Sequence, residues 1–440
     1  MTKEEILVFL QSHSNSGSAL GLSRVELLFD YLGHPQRKLP IVHVAGTNGK
    51  GSTIAFLSSI LEEAGYKVGR FQSPWVFSYE EQIRLGEIPI LEQDFISVGT
   101  KVINAAQQMV KDGWEMPTEF EMLFPMACLY FLEKDCQIVL VEVGLGGEGD
   151  ATNVIPTPLL SVITKITYDH MNYLGDTLEE IAKAKAGIIK KGGAVLLQKQ
   201  KDVVMPVFLN KIKEVEGTLV PLYELPDSGE IQKESDEKGK SSATVTGKDD
   251  TVIFDWNELL GLKGVYQIEN ASLAYSAALA LKDMGYDISD EAIISGLKHV
   301  KWPGRFEILS QDPLLIIDGA HNEDGAKALA KSLNCLYNKR KFQLVIGILG
   351  DKEYEKMLEE LLPFATKVFC VTPQNPRALS AEDLAEVIKK KNPALPVAPC
   401  NSVEEALQLS YFAGKRDTVA FGSLYYIGEI RKRFFESRTN

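Results

Sequence analysis

Residues 41–53, IVHVAGTNGKGST, place Gly46, Gly49 and Gly51, one lysine and a Ser-Thr pair between an apolar run and a helical pattern. That is the composition of a phosphate-binding turn. The glycines permit close backbone approach and positive φ, and the N–H groups at the start of a helix aim at one point where an anion is stabilised. Lys50 is set to reach the outer phosphates of a nucleotide, and Ser52 or Thr53 to ligate Mg2+. The stretch departs from G-x-x-x-x-G-K-[ST], because Gly51 separates Lys50 from Ser52. Glu142, near the end of the apolar run QIVLVEV (137–143), is a candidate acidic partner for Mg2+, since a carboxylate in such a run is otherwise poorly tolerated. Taken alone it reads equally as a strand-end residue facing solvent. His170, after Asp169 and another strand-like run, is either a ligand at the same sheet edge or a structural histidine. Lys185 in AKAKAGIIK is one of several lysines and unremarkable by itself.

These groups need a scaffold that brings strand ends together. Short apolar runs at 41–45, 137–143, 159–164 and 193–198 alternate with helical patterns. One such pattern is 53–64, where Ile54, Leu57, Ile60, Leu61 and Ala64 recur at helical spacing. Strand–helix alternation with mostly apolar strands predicts an α/β fold with a mainly parallel sheet covered on both faces. The theme repeats at 313–318, 342–350, 367–372 and 417–422. Residues 226–250 carry almost no large apolar side chains and read as a loop or hairpin, or else a linker. The helical pattern after them, YQIENASLAYSAALALKDMG, reads as part of the first domain. The break at Trp302-Pro303-Gly304 places a domain boundary after 303, giving domains 1–303 and 304–440.

Bulk properties narrow the classes. A chain of 440 residues exceeds one ordinary core. A net charge of −13 argues against a nucleic-acid binder. Five cysteines without C-x-x-C spacing suggest reduced thiols in a cytoplasmic protein. The N-terminal MTKEEILVFL is an amphipathic helix pattern rather than a signal sequence, and no apolar run approaches the roughly 18–20 residues that span a bilayer.

The ordered set of segments resembles the folylpolyglutamate synthase and dihydrofolate synthase family of the Mur ligase superfamily. The family's G-T-N-G-K-G-S corresponds to residues 46–52, which accounts for the glycine after the lysine. Further matches are GLSRVELLFDYLGHP (21–35), EVGLGG (142–147), DATN (150–153), DH (169–170), KAGIIK (185–190) and WPGRFE (302–307). DGAHN (318–322), DK (351–352), PRA (376–378) and GSLY (422–425) complete them. The resemblance implies an N-terminal P-loop-type ATPase domain and a smaller C-terminal Rossmann-like α/β domain, with the active site in the cleft. It implies ATP-dependent amide formation, in which a substrate carboxylate becomes an acyl phosphate that the amino group of L-glutamate attacks.

By the same resemblance Asn48, Gly49, Lys50, Gly51 and Ser52 hold the ATP phosphates, Asn270 meets the adenine, Arg305 the phosphates and Asp318 the ribose. Ser73, Glu142 and His170 match metal ligands, for two Mg2+ ions with Lys185, which matches a lysine carbamylated in the family. Gln82, Asp150, Ala151, Thr152 and Asn153 fall at the folate site, and His321 and Ser423 at the incoming glutamate; Lys50, Lys185 and His321 are the catalytic candidates. The implied partners are ATP, L-glutamate and a reduced folate or dihydropteroate, with no nucleic acid or membrane, in a monomer. Departures cluster in segments expected around the acceptor: Trp75 for a histidine, Gln82 for an arginine, Glu148 and Gly149 for Arg-Leu, Ala184 for a glutamate, and Phe124 in a stretch where a threonine is common. They favour, as an alternative, a paralogous ligase joining an amino acid to another carboxylate; a further alternative of a different class is a nucleotide-binding protein that ligates nothing. Retention of Lys185, His321 and Ser423 opposes the last.

Overall fold

The computed structural model describes all residues except 15–20, 224, 226–241, 247–250, 256–258, 351–353 and 440. The chain divides into two compact units, one of Met1–Pro226 with Glu269–His299, the other of Asp227–Ile268 with Val300–Asn440. The first is built on an eight-stranded sheet ordered β4-β3-β2-β5-β1-β6-β7-β8. Its strands are β1 (Ile41–Ala45), β2 (Val68–Phe71), β3 (Ile83–Leu85), β4 (Ile88–Pro89), β5 (Ile138–Glu142), β6 (Leu160–Ile163), β7 (Ala194–Leu197) and β8 (Thr218–Val220). β2, β5, β1, β6, β7 and β8 run parallel, and β3 and β4 add an antiparallel edge. The central strands are buried along their whole length, as continuous apolar runs require when helices cover both faces.

Helices α1 (Lys3–Ser12), α2 (Ser23–Leu32), α3 (Lys50–Glu63), α4 (Glu92–Lys111) and α5 (Glu119–Glu133) are followed by the short α6 (Met171–Leu174), α7 (Leu178–Ala186) and α8 (Met205–Glu214), then α9 (Gln267–Asp283) and α10 (Asp290–His299). One core joins α1, α2, α4 and α5 to the sheet through Phe29, Phe71, Phe95, Phe124 and Phe131; a second joins α7 and α8 through Ile181, Ala182, Val195 and Phe208. Phe124, expected in an acceptor loop, is instead fully buried in α5, 5.8 Å from the ring of Phe29 and 5.3 Å from that of Phe71. Its bulk serves packing.

In the second unit, β9 (Ser242–Thr246) and β10 (Thr251–Asp255) pair antiparallel, so the described part of 226–250 is one arm of a hairpin; the rest of that segment lies outside the described residues, as does the DK at 351–352. A six-stranded sheet follows, ordered β11-β12-β16-β13-β14-β15. It comprises β11 (Glu307–Gln311), β12 (Leu314–Ile317), β13 (Phe342–Ile346), β14 (Ala365–Cys370), β15 (Val397–Pro399) and β16 (Thr418–Phe421). Only β11 is antiparallel to its neighbour. Helices α11 (Glu323–Tyr337), α12 (Tyr354–Leu361), α13 (Ala381–Lys391), α14 (Val403–Leu407) and α15 (Leu424–Thr439) complete the unit. Both sheets are therefore mainly parallel, as the apolar runs imply.

Candidate active site

In open parallel sheets ligands gather at the carboxyl ends of the strands, and the candidate residues of the first unit collect there. β1 leads into the turn 46–49 and α3. Gly46 (φ +148°) and Gly49 (φ +95°) take backbone conformations that L side chains rarely adopt. A Cβ on Gly46 would lie 1.8 Å from Thr164 Oγ1, and one on Gly49 would lie 2.4 Å from Asn270 Oδ1. The turn is thus wedged between the end of β6 and the buried Asn270 of α9. Thr47 N–H donates to Lys165 O at 2.9 Å, its hydroxyl donates to Thr167 O at 3.1 Å, and Asn48 Nδ2 donates to Thr167 Oγ1 at 3.4 Å. Ser52 and Thr53 are buried in the first turn of α3. Lys50 Nζ curls back over the turn, donating to Gly46 O (3.3 Å) and Thr47 O (3.1 Å), and lies 3.7 Å from Glu142 Oε1.

Parallel register sets Glu142 opposite Val44, two residues short of Gly46. Glu142 is only 6% exposed, beside the turn that follows β1. Gln72, just past the end of β2, donates from Nε2 to Glu142 Oε2 at 3.4 Å and to Gly51 O at 3.3 Å. Ser73, next in the chain, is partly exposed. His170 is exposed and in a left-handed conformation (φ +52°), with Nε2 3.9 Å from Asp169 Oδ2.

Lys185 reaches the same turn from α7. A capping box starts that helix, with Thr177 Oγ1 accepting from Glu180 N and the Glu180 carboxylate accepting from Thr177 N. Lys185 Nζ, buried, donates to Gly46 O at 2.8 Å. Burial, with the Lys50 charge nearby, lowers its pKa to about 7; Asp169 and Asp150 oppose the shift without cancelling it. An amine with that pKa is substantially neutral and nucleophilic near neutral pH.

The loop after β5 carries DATN. Asp150 accepts from Leu145 N (2.8 Å), Thr152 N (2.9 Å) and the Thr152 hydroxyl (2.5 Å). Thr152 Oγ1 lies 2.8 Å from His43 Nε2. The hydroxyl proton goes to Asp150, so His43 carries its proton on Nε2, and its buried Nδ1 has no partner among the described residues. Burial first, then Lys190, lowers the His43 pKa to about 3. Ala151 is buried, and Asn153 Nδ2 donates to Glu148 O at 2.9 Å. Its Oδ1 is buried with no partner among the described residues. Glu148, exposed, donates its N–H to Ala184 O at 2.7 Å, seating the loop on α7 beside Lys185. Asp150 and Thr152 therefore spend their polar atoms on shaping the loop, and Asn153 Oδ1 is the one left over.

The segment 73–82 folds around a carboxylate. Glu81 Oε1 accepts from the N–H groups of Val76, Phe77 and Ser78, while Oε2 accepts from Arg84 at 2.7 Å. That grip leaves Trp75 and Phe77 exposed. Gln82 is buried, donating to Tyr79 O at 3.3 Å, and its own carbonyl accepts from Gln72 N at 3.0 Å.

A second group lies in the other unit. Asp318, at the end of β12, is buried and accepts from Tyr266 OH (2.7 Å), Phe306 N (2.8 Å) and Ala320 N (2.7 Å). Burial raises its pKa against those bonds and the Arg305 charge. Arg305 donates to Gly319 O at 3.3 Å, and His321 Nδ1 lies 2.7 Å from the same carbonyl. Ser423 is buried just beyond β16, its Oγ accepting from Tyr425 N at 3.3 Å.

Among the described residues no cluster of three or more His, Cys, Asp or Glu is placed to hold a metal ion. Mg2+ does not require one, because it takes one or two carboxylates and fills its octahedron with water and phosphate oxygens. A single buried carboxylate at a phosphate turn, with the hydroxyl of Ser73 just past the end of β2, suits that mode. The sequence reading missed Gln72, Arg70, His43 and Glu81. Each is a buried polar residue in or beside an apolar strand, and that mismatch is the signal that would have flagged them.

Residues 44–278 match the Mur ligase middle domain, and residues 304–423 the Mur ligase, glutamate ligase domain. The chain is 37% identical to the dihydrofolate synthase/folylpolyglutamate synthase of Bacillus subtilis, over 94% of each chain. It is 31% identical to the folylpolyglutamate synthase of Lacticaseibacillus casei, over 86% of this chain and 87% of that one. Among solved structures, Mycobacterium tuberculosis folylpolyglutamate synthase complexed with ADP and AMPPCP superposes with a TM-score of 0.84 at 27% identity, covering 98% of both chains. E. coli FolC in complex with DHPP and ADP gives 0.81 at 28% identity, covering 99% of this chain and 98% of that one. The match runs through both sheets and through the turn that gathers Lys50, Glu142 and Lys185, and on that ground the chain belongs to the folylpolyglutamate synthase and dihydrofolate synthase family of the Mur ligase superfamily, a family of ATP-dependent amide ligases.

Proposed function

We propose that this protein adds L-glutamate to a reduced folate, and to dihydropteroate, in the cytoplasm, as a monomer using ATP and two Mg2+ ions. The observation that carries this reading is Lys185, a buried lysine of α7 whose Nζ donates to Gly46 O in the turn beside Lys50 and whose pKa is lowered to about 7. ATP binding alone needs Lys50 and no such partner. In the proposed reaction a carboxylate oxygen of the acceptor attacks the γ-phosphorus of ATP, ADP leaves, and an acyl phosphate forms. The amine of glutamate then attacks the acyl carbon, expels phosphate and loses a proton. Lys50 moves from the Gly46 and Thr47 carbonyls to the transferring phosphoryl group, where its charge offsets the charge that develops. Asn48, Gly49, Gly51 and Ser52 hold the phosphates, Asn270 the adenine, Arg305 the phosphates and Asp318 the ribose. Glu142, Ser73 and His170, with carbamylated Lys185, would hold Mg2+, which when bound neutralises phosphate charge. Loop 150–153 and Gln82 face the acceptor, and the unpaired Asn153 Oδ1 is the kind of acceptor a pterin N–H would satisfy. His321 and Ser423 receive the glutamate. The reading places the ATP-binding portion in residues 1–303 and the glutamate-ligase portion in 304–440.

The test is incubation with ATP, Mg2+, [14C]glutamate and either tetrahydrofolate or dihydropteroate. Label is expected to pass to a pterin product. ATP hydrolysis without transfer to either acceptor would overturn the proposal.

A further inference from the structure

Arg70 and Gln72 at the end of β2 have no part in the reaction as described, yet they are among the most unusual residues of the core. Arg70 is 1% exposed, inside a strand of a covered sheet. A buried guanidinium is costly unless its donors are met, and here they are. Nη1 donates to Glu87 Oε1 at 2.8 Å and to Gly86 O at 3.4 Å, while Nε (3.0 Å) and Nη2 (2.8 Å) both donate to Gln72 Oε1. The paired bonds decide which way the Gln72 amide faces, because only its oxygen can accept from a guanidinium. Its Nε2 is thereby turned to the far side, where it meets Glu142 Oε2 and Gly51 O. Register agrees: β2 and β5 run parallel with Phe71 opposite Val141, which sets Gln72 beside Glu142. The backbone N–H of Gln72 meanwhile holds Gln82 O.

We propose that Gln72, oriented by Arg70, is a positioning residue that fixes the Glu142 carboxylate and the phosphate turn in one geometry. This rests on the reading of Glu142 as the carboxylate that holds Mg2+. The Glu142 carboxylate is gripped at both oxygens, Oε1 by Lys50 and Oε2 by Gln72. When Lys50 turns to a phosphate, the Gln72 amide keeps its hold on Oε2. A fixed amide donor at Oε2 leaves Oε1 pointing at the turn, prepared for a cation. The bond to Gly51 O ties that carboxylate to the residue between Lys50 and Ser52, so phosphate and metal positions are set together. Through its N–H to Gln82 O, the same residue also anchors the start of β3, beside the segment assigned to the acceptor.

The test measures Mn2+ affinity of the full-length protein in the presence of AMPPCP, by electron paramagnetic resonance of free Mn2+, alongside thermal melting. Gln72→Met keeps length and volume but removes the donor, and is expected to weaken Mn2+ binding about tenfold, the scale on which groups orienting a metal ligand act. Arg70→Lys keeps the charge facing Glu87 while losing the paired grip on Oε1, and is expected to weaken it about threefold should the Met variant fail to fold. Glu142→Gln is the control for the underlying reading, with a loss of at least about a hundredfold expected. A Gln72→Met protein that melts lower but binds Mn2+ as the parent does would reduce Gln72 to packing and overturn the inference while leaving the reading of Glu142 intact. Undiminished binding in Glu142→Gln would overturn both.

Discussion

Lys185 concentrates the chemistry at the scale of a single residue. Burial is the main cause of its lowered pKa of about 7, and the Lys50 charge adds to it. The unfolded chain keeps this proton up to about the ordinary lysine pKa of 10.4. Below pH 7 both states are protonated, and the folded state bears the whole cost of a buried ammonium. Between pH 7 and about 10 the unfolded state binds more protons, so this group's contribution to stability rises with pH. Denaturation of wild type and Lys185→Met at pH 6.5 and 9 is expected to show the variant gaining relative stability at the lower pH, the gap closing at the higher. A gap that did not change with pH would mean that Lys185 has no lowered pKa. The same neutral amine is what carbon dioxide would react with, releasing a proton as the carbamate forms. Lys185→Ala is accordingly expected to lose ligation by at least about a hundredfold, and added short-chain carboxylates to restore part of it. Undiminished activity in the Ala variant would remove the carbamate from the reaction.

Elements marked by a run of several apolar residues were legible, and a short strand with a charged residue in its middle was not. β1, β5, β6 and β7, and β12 to β14 and β16 in the second unit, lie where apolar runs place them. β2 was missed because Arg70 interrupts its run and reads as a solvent-facing residue, although it lies in the core. Phe124 was misplaced because a helix buried on most sides carries no periodicity to say which face meets a ligand. The turn between β1 and α3 was legible as a backbone feature because glycine spacing encodes backbone geometry directly. Gly49 illustrates the constraint: at φ +95° any side chain is strained, and a Cβ would press on Asn270 Oδ1. Gly49→Ala should cost about 1–3 kcal/mol in stability and weaken ATP binding at least about tenfold, since Asn270 and the turn must part. Equilibrium denaturation and calorimetric titration with AMPPCP check both; unchanged nucleotide affinity would show that the turn tolerates displacement.

For the molecule as a whole, chemistry was more legible than the acceptor. Nucleotide handling rests on backbone turns and single charges that leave fixed spacings in the chain, whereas a pterin is recognised by shape and by which polar atoms a loop leaves unpaired. That Asp150 and Thr152 serve the loop, while Asn153 Oδ1 is left over, is visible only in three dimensions. The net charge of −13 adds a global term. A tri- or tetra-anionic nucleotide approaching a strongly acidic protein is repelled at long range, and this repulsion is screened by salt. On the proposed reading, capture depends on short-range donors at the turn between β1 and α3 and on divalent cation. Four consequences for thermal stability follow. AMPPCP with Mg2+ at about 100 times its dissociation constant should stabilise the folded protein by about 2.7 kcal/mol, seen as a rise in melting temperature. The rise should shrink when Mg2+ is replaced by chelator, and Lys50→Ala should abolish most of it. It should also change little, or grow, as sodium chloride is raised from 20 to about 150 mM, because salt screens the global repulsion more than it weakens donors in the turn. A shift in Lys50→Ala equal to that of wild type would mean that the nucleotide is held somewhere other than the turn between β1 and α3.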